Sequence, residues 1–360
     1  MNALRKRNED LFKGIQADAI ILKTSDRFQD PSVSYYTGLG KDFLSGNMLL
    51  LKRGEKPTLF KSLLEPKITV PGIRVKRVDR KRFLEAEIKK SLKGVKSVGV
   101  NRPLHTTFSL RSLRKILGKK QVVDVSKQIA LQRSVKSEEE VEKISAACRI
   151  AQGVSEKIPE IFTRGLTEKQ LAMQVEFLLR ERGENLLPFP VIVASSQNAA
   201  FPHHVPLDRK ISKGLLLFDF GAFHDNYCSD ISRVFCVGKP TRRQKRLYAS
   251  VFAVKQFSQS QVRPGSVFGD VFSKASSFLK KESGFGLIHG LGHGLGVEVH
   301  DCPAGFLDGN KETVKENMVL TVEPGIYGKF GGIRIEDDVL VARRGCKLLT
   351  KAPTELISLS

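Results

Sequence analysis

Short apolar runs alternate with amphipathic stretches through the first part of the chain. Ala19–Leu22, Met48–Leu51, Val98–Val100 and Val122–Val125 have strand length, while Arg82–Leu92 and Phe108–Leu117 between them carry a helical period. Strands interleaved with helices predict an α/β domain whose helices cover a mixed sheet. Near Ser137 the texture changes. Ser137-Glu138-Glu139-Glu140 reads as a capping box, and the helix it opens has apolar positions at Val141, Ile144, Ala147, Cys148 and Ala151. The domain boundary is therefore expected within Leu131–Lys136, giving an N-terminal domain over 1–132 and a second over 133–360.

The second part contains a faint internal repeat. Arg164-Gly165-Leu166-Thr167 opens a helical segment ending near Gly183, and Arg263-Pro264-Gly265-Ser266 opens a similar one ending near Gly284. After each comes a glycine- or proline-punctuated strand region with histidines: His203 and His204 in the first, His289, His293 and His300 in the second. Two related α+β halves would set a cleft between them.

Composition narrows the class. With 41% hydrophobic and 27% charged residues the chain is globular rather than disordered. It has no apolar run long enough to cross a membrane, and its charged N-terminus lacks the apolar core of a secretory signal. Five scattered cysteines, never in a CxxC pair, exclude a disulfide framework and fit a reducing, cytoplasmic setting. The net charge of +22 is uneven: through Lys136 there are 31 basic and 12 acidic residues, so nearly all the excess lies in the first third. The basic residues come singly or in short groups between apolar strands (Lys76-Arg77, Arg80-Lys81-Arg82, Lys89-Lys90), without interleaved aromatics. A solvated basic face is the expectation, with a nucleic-acid or other polyanion partner as the weaker alternative.

The chemistry lies in carboxylates set inside apolar strands. Asp219 sits in Leu215–Gly221 and Asp230 follows in Tyr227–Val234, with Ala222–Asn226 reading as a turn that brings two antiparallel strands together. Glu323 in Val319–Gly325 and Glu336 in Ile333–Asp338 form a second pair around a glycine-rich turn. Four carboxylates among Leu, Val, Phe and Ile are costly unless positive charge offsets them. With the histidine loop His289-Gly290-Leu291-Gly292-His293-Gly294, two divalent cations bridged by carboxylates are the simplest neutralisation. An oxygen-rich site with one imidazole suits Mn²⁺, Co²⁺ or Zn²⁺. Two such ions can hold and activate a bridging hydroxide, which points to a hydrolase. No P-loop, HExxH helix or GxSxG elbow is present.

The series DFGA…YCSDISR, HGLGHGLGVEVHD, TVEPGIY and GGIRIEDD closely resembles the pita-bread metallopeptidases, from about Arg133 to Arg343. That resemblance implies a creatinase-type α/β N-terminal domain and an α+β pita-bread catalytic domain. It implies metal ligands at Asp219, Asp230, His293, Glu323 and Glu336. Asp219 would bind one ion, His293 and Glu323 the other, with Asp230 and Glu336 bridging both and Glu323 as general base. Asp30–Gly38 resembles that N-terminal domain's turn and strand. This domain and the pair His289 and His300 resemble the proline-specific branch, Xaa-Pro aminopeptidase and prolidase, rather than methionine aminopeptidase. His203 matches the substrate-side histidine, His300 one near the scissile carbonyl, and Arg334 a position that orients carboxylates. A homodimer acting on peptides with proline second is implied. The chain departs from the family pattern with Asn226 where Gly is common and His204 where Tyr or Gly is commoner, and it has no Trp. Asn also takes the left-handed turn geometry.

Overall fold

The computed structural model describes residues 3–25, 28–41, 46–79 and 81–360; Met1 and Asn2 of the charged N-terminal run and Arg80 of the basic group lie outside the described residues. The chain forms two compact units, Met1–Gln132 and Arg133–Ser360.

In the first unit, helix α1 (Ala3–Lys13) leads into β1 (Ala19–Ser25), β2 (Phe28–Gln29) and helix α2 (Pro31–Thr37). Then follow β3 (Met48–Lys52), β4 (Thr58–Ser62), β5 (Arg74–Val78), α3 (Lys81–Ser91), β6 (Ser97–Val100), α4 (Thr107–Leu117), β7 (Gln121–Asp124) and α5 (Ser126–Ser134). The strands form one mixed sheet in the order β5-β4-β3-β1-β6-β7, with β2 paired to β1. The central strand β1 buries Ile20 and Ile21, which point to opposite faces, so the sheet is covered on both sides. One cover is α3 and α4, whose Ile88, Leu113 and Leu117, with Leu92 just after α3, pack on Ile21, Leu50 and Val98. The edge strand β5 carries Arg74, Lys76 and Arg77, charges that protect an open edge from pairing with another chain.

Asp30–Gly38 is not the expected turn and strand but the short buried helix α2. Asp30 caps it by accepting from the Ser32 amide, Pro31 stands in the first turn, and Gly38 ends it at φ 70°. Cap and proline pre-set the helix, and together they outweigh the strand preference of Val33, Tyr35 and Tyr36.

The second unit repeats one plan. Helices α6 (Glu138–Ile161) and α7 (Glu168–Arg182) precede β8 (Ile192–Ser195), a 3-10 turn at Ser196–Ala200, β9 (Gly214–Phe220), β10 (Phe223–His224), β11 (Tyr227–Cys228) and β12 (Ile231–Val237). Helices α8 (Arg242–Gln261) and α9 (Phe268–Ser283) precede β13 (Gly292–Gly294), β14 (Asp301–Phe306), β15 (Val319–Val322), β16 (Gly325–Gly328), β17 (Gly331–Arg334), β18 (Asp337–Ala342), β19 (Gly345–Leu348) and β20 (Ser358–Leu359). The sheets run β20-β12-β9-β8 and β14-β13-β15-β18-β19, beside the hairpins β10-β11 and β16-β17. The Ser137 capping box is present, with Ser137 and Glu140 each bonding the other's amide. Isolated bridges Thr167↔Lys210 and Val267↔Thr313 mark the same point in each half. Helices α6 and α7 pack in one apolar cluster and α8 and α9 in another, and with the matching bridges the faint sequence repeat corresponds to a real structural one.

Candidate metal centre

The two aspartates reach one place because their strands are antiparallel neighbours. Asp219 on β9 lies opposite Ser232 of β12, and Asp230 immediately precedes that strand. Asp225 and Asn226 take positive φ, 48° and 69°, and close the intervening β10-β11 hairpin, the turn expected there. In the second half Glu323 follows β15 and Glu336 follows β17, at the ends of strands that the β16-β17 hairpin joins. Its backbone links the halves, since the Glu336 amide donates to the Ser232 carbonyl at 3.2 Å. His293 sits at the middle of β13. Gly292 before it could not be another residue, because a Cβ there would stand 2.0 Å from the Thr321 carbonyl oxygen.

All nine residues expected from sequence border one cavity of about 680 Å³: Asp219, Asp230, His293, Glu323 and Glu336, with His203, His289, His300 and Arg334. Donor atoms of Asp230, His293 and Glu336 lie within 4.8 Å of one another. His293 Nε2 is 3.6 Å from Asp230 Oδ2 and 3.5 Å from Glu323 Oε1. Its Nδ1 faces the Gly294 carbonyl at 3.1 Å, so Nδ1 carries the proton and Nε2 presents a lone pair. Burial, with His300 alongside, pushes the His293 imidazole down to about 3, so it is neutral, as a ligand must be. The two rings stand edge to face with centroids 4.2 Å apart.

Arg334 is the pivot of the site. Its Nη2 donates to Asp219 Oδ2 at 2.5 Å, its Nε to Ser232 Oγ at 2.8 Å and its Nη1 to the Tyr327 hydroxyl at 2.9 Å. Ser232 in turn donates to Glu336 Oε2 at 2.7 Å, so one guanidinium orients carboxylates from both halves. Tyr327 donates to His289 Nε2 at 2.8 Å, while His289 Nδ1 donates to the Gly290 carbonyl at 2.7 Å. Burial lowers His289 to about 4 and keeps it neutral.

These contacts leave the carboxylates short of positive charge. Burial, reinforced by the neighbouring carboxylates, raises Asp230 and Glu336 well above the ordinary range and brings Glu323 up to about 7. Asp219 Oδ1, Asp230 Oδ1 and Glu336 Oε1 are buried with no hydrogen-bond partner. Buried carboxylate oxygens without donors are expensive unless a cation meets them. The donor set therefore fits divalent metal.

Sequence reasoning did not single out Tyr327, Ser232 or Asp338. Asp338 accepts from the Asp230 amide at 3.0 Å and from the Cys148 thiol at 3.2 Å, buttressing Asp230 from behind. Tyr327 and Ser232 lie inside the quoted motifs, but nothing in their spacing marks them as partners of Arg334. Of the two cysteines next to Ser229-Asp230 and Asp301, Cys228 is buried and Cys302 half-buried, both as free thiols.

The family model described as metallopeptidase family M24 matches residues 142–343. The Xaa-Pro dipeptidase of Pyrococcus horikoshii is 34% identical over 99% of this chain and 99% of its own. That of Pyrococcus furiosus is 34% identical over 98% and 100%. Among solved structures, the prolidase of Pyrococcus horikoshii superposes with a TM-score of 0.87 at 33% identity, covering 99% of this chain and 100% of the other. The X-Pro aminopeptidase of Thermotoga maritima gives 0.86 at 28% identity, covering 97% and 99%. The mixed α/β architecture and the pita-bread fold thus agree with relatives matched over nearly their whole length, and the chain belongs to metallopeptidase family M24 as a metal-dependent exopeptidase.

Proposed function

We propose that the protein hydrolyses the bond between an N-terminal residue and a following proline, with Xaa-Pro dipeptides as its first substrates. The observation that carries this reading is the convergence of five donor side chains from both halves on one cavity, three of them holding a buried oxygen without a partner. Full-length relatives named Xaa-Pro dipeptidase support the choice of substrate.

Asp219, Asp230, His293, Glu323 and Glu336 would hold two divalent cations, manganese first and cobalt or zinc as alternatives. When bound, such ions supply Lewis acidity, acidifying water and polarising the scissile carbonyl. Glu323 accepts the proton of the attacking water as general base. Arg334 keeps Asp219 and, through Ser232, Glu336 in fixed orientation. His203 and His300 border the cavity and hydrogen-bond the tetrahedral intermediate and the leaving nitrogen. His289, anchored by Tyr327, stays neutral beside them. The Xaa-Pro bond is a tertiary amide without N–H, so recognition falls to shape, and Phe189, Ile192, Val205 and Leu307 offer an apolar wall. The first unit is read as the creatinase-type domain. A homodimer and a cytoplasmic setting complete the proposal; five cysteines kept as thiols are in keeping with the latter, and no helix among the described residues is long and apolar enough to cross a membrane.

The test is hydrolysis of Ala-Pro, Ala-Pro-Ala and Met-Ala-Ser with added Mn²⁺, using Glu323→Gln as control. Cleavage of Ala-Pro, reduced at least about a thousandfold in the variant, is expected. Cleavage of the tripeptide alone makes the protein an aminopeptidase. Cleavage of Met-Ala-Ser only, or of nothing with metal bound, overturns the proline reading and brings forward a methionine aminopeptidase or a polyanion-binding protein.

A further inference from the structure

The cavity wall that carries His203 is anchored by a residue with no place in the metal centre. Glu168 is the first residue of α7, and its side chain is fully buried, 0% exposed. Its Oε1 accepts from the Ser195 amide at 2.7 Å and from Asn198 Nδ2 at 3.0 Å. Its Oε2 accepts from His204 Nε2 at 2.9 Å and from the Leu207 amide at 3.2 Å. All four donors belong to the segment 195–207, which contributes Pro202, His203, Val205 and Pro206 to the cavity. Burial alone would disfavour the ionised carboxyl, but these four bonds outweigh it and hold Glu168 below the ordinary range. The amino end of α7 favours the same charged form.

The other side of this segment is fixed by the hairpin bearing Arg334. A Cβ on Gly332 would stand 1.8 Å from the Ala199 carbonyl oxygen, and one on Gly331 would stand 2.4 Å from that of Ser196. Arg334 Nη1 donates to the Pro202 carbonyl at 3.4 Å. His203 is itself exposed, yet both its neighbours are tied: Pro202 to Arg334 and the His204 ring to Glu168. A carboxylate only accepts, so His204 carries its proton on Nε2.

We propose that Glu168 is a positioning residue: through Ser195, Asn198, His204 and Leu207 it sets where His203 and the apolar wall stand against the substrate. His204 is its principal lever on the cavity, because it is the bonded side chain next to His203. The inference rests on the Xaa-Pro reading for its kinetic consequence, though not for the clamp itself. Loosening the wall weakens substrate binding more than the chemical step, which belongs to the metal centre. The effect therefore appears in KM rather than kcat.

The experiment compares Glu168→Gln, His204→Phe and His204→Gln with the native chain. It measures KM and kcat on Ala-Pro with Mn²⁺, bound metal, and hydrogen exchange of peptides spanning 195–207. Glu168→Gln replaces one acceptor oxygen by an amide that cannot accept. The expected loss in kcat/KM is between roughly tenfold and a hundredfold, carried by KM, with bound metal unchanged and exchange in 195–207 accelerated. His204→Phe gives the same kinetic pattern. His204→Gln keeps a donor toward Glu168 and returns kcat/KM to within roughly threefold of native. Unchanged KM and exchange in both Glu168→Gln and His204→Phe overturn the proposal, as does a loss confined to kcat with metal released. Should Glu168→Gln not fold, the His204 pair decides, since that side chain borders the cavity rather than the core. Should the native chain cleave no Xaa-Pro substrate, the functional reading fails, while exchange in 195–207 still decides the clamp.

Discussion

The two halves of the catalytic unit share a backbone scheme and differ in the side chain at its centre. In the first half the Ile211 amide bonds Leu166, the Glu168 amide bonds Arg209 and the Lys169 amide bonds Leu207. In the second, the Val314 amide bonds Ser266, the Phe268 amide bonds Glu312 and the Gly269 amide bonds Asn310. At the corresponding position stands a buried carboxylate in one half and a buried phenyl ring in the other. Phe268 packs on Phe306 with centroids 5.0 Å apart, inside an apolar cluster. Glu168 instead binds four polar groups of its loop. Packing against an aromatic ring is non-directional and seats a loop without aiming it. Hydrogen bonds to a charge are directional and shorter in reach, so they fix the orientation of the loop they hold. The half holding His203 has the directional device. The half holding His293 fixes that residue by close glycine packing on β15 instead.

The largest effect should come where both halves meet. Glu336→Gln is expected to lower activity at least about a thousandfold. The metal-free variant should nevertheless melt no lower than the metal-free native chain, because it loses one of several mutually repelling buried carboxylates. Calorimetry with and without a chelator checks this, and a lower melting point in the metal-free variant would contradict the repulsion argument.

Phe268→Ala should cost roughly 3–5 kcal/mol of stability by opening a cavity in the core of the second half. Its effect should be flat with pH, since no charge is involved. Denaturant unfolding at several pH values tests it.

The smallest effect separates the two devices most cleanly. Because the folded-state pKa of Glu168 lies below its unfolded value, its stabilisation is present above the unfolded carboxyl range, near about pH 4.3, and is lost as pH falls through the folded value. The stability difference between the native chain and Glu168→Gln should therefore be level above about pH 5 and shrink in acid. A difference as level as that of Phe268→Ala would mean that the four bonds do not lower the Glu168 carboxyl on folding.

Much of this was legible in the chain because it is local. The capping box at Ser137 and the two helix starts after Arg164 and Arg263 depend on contacts within a few residues, which sequence spacing records directly. The hairpin between Asp219 and Asp230 was readable for the same reason, since Asp225 and Asn226 are turn formers. Carboxylates in apolar strands stand out against their neighbours, so Asp219, Asp230, Glu323 and Glu336 could be picked out from pattern, whereas His203, His300 and Arg334 were named through the family resemblance. Asp30–Gly38 was expected as a turn and strand through the family resemblance, while the cap that decides for a helix is local, a single Asp and a proline.

Glu168 was invisible for the opposite reason. A glutamate in the first turn of a helix is among the commonest helix-start residues, and nothing in Leu166-Thr167-Glu168-Lys169 says that this one is buried. Its partners lie 27 to 39 positions away. Arg334 is similar: the motif around it marked the residue, yet its bonds to Ser232 and Asp219 span 102 and 115 positions. Periodicity and residue type decided which elements form and which side chains are chemically expensive to bury. Which of those side chains meet depended on how the two sheets and the β16-β17 hairpin close on each other, since hydrogen bonds and ion pairs act only over a few ångströms and the linear order does not encode that distance.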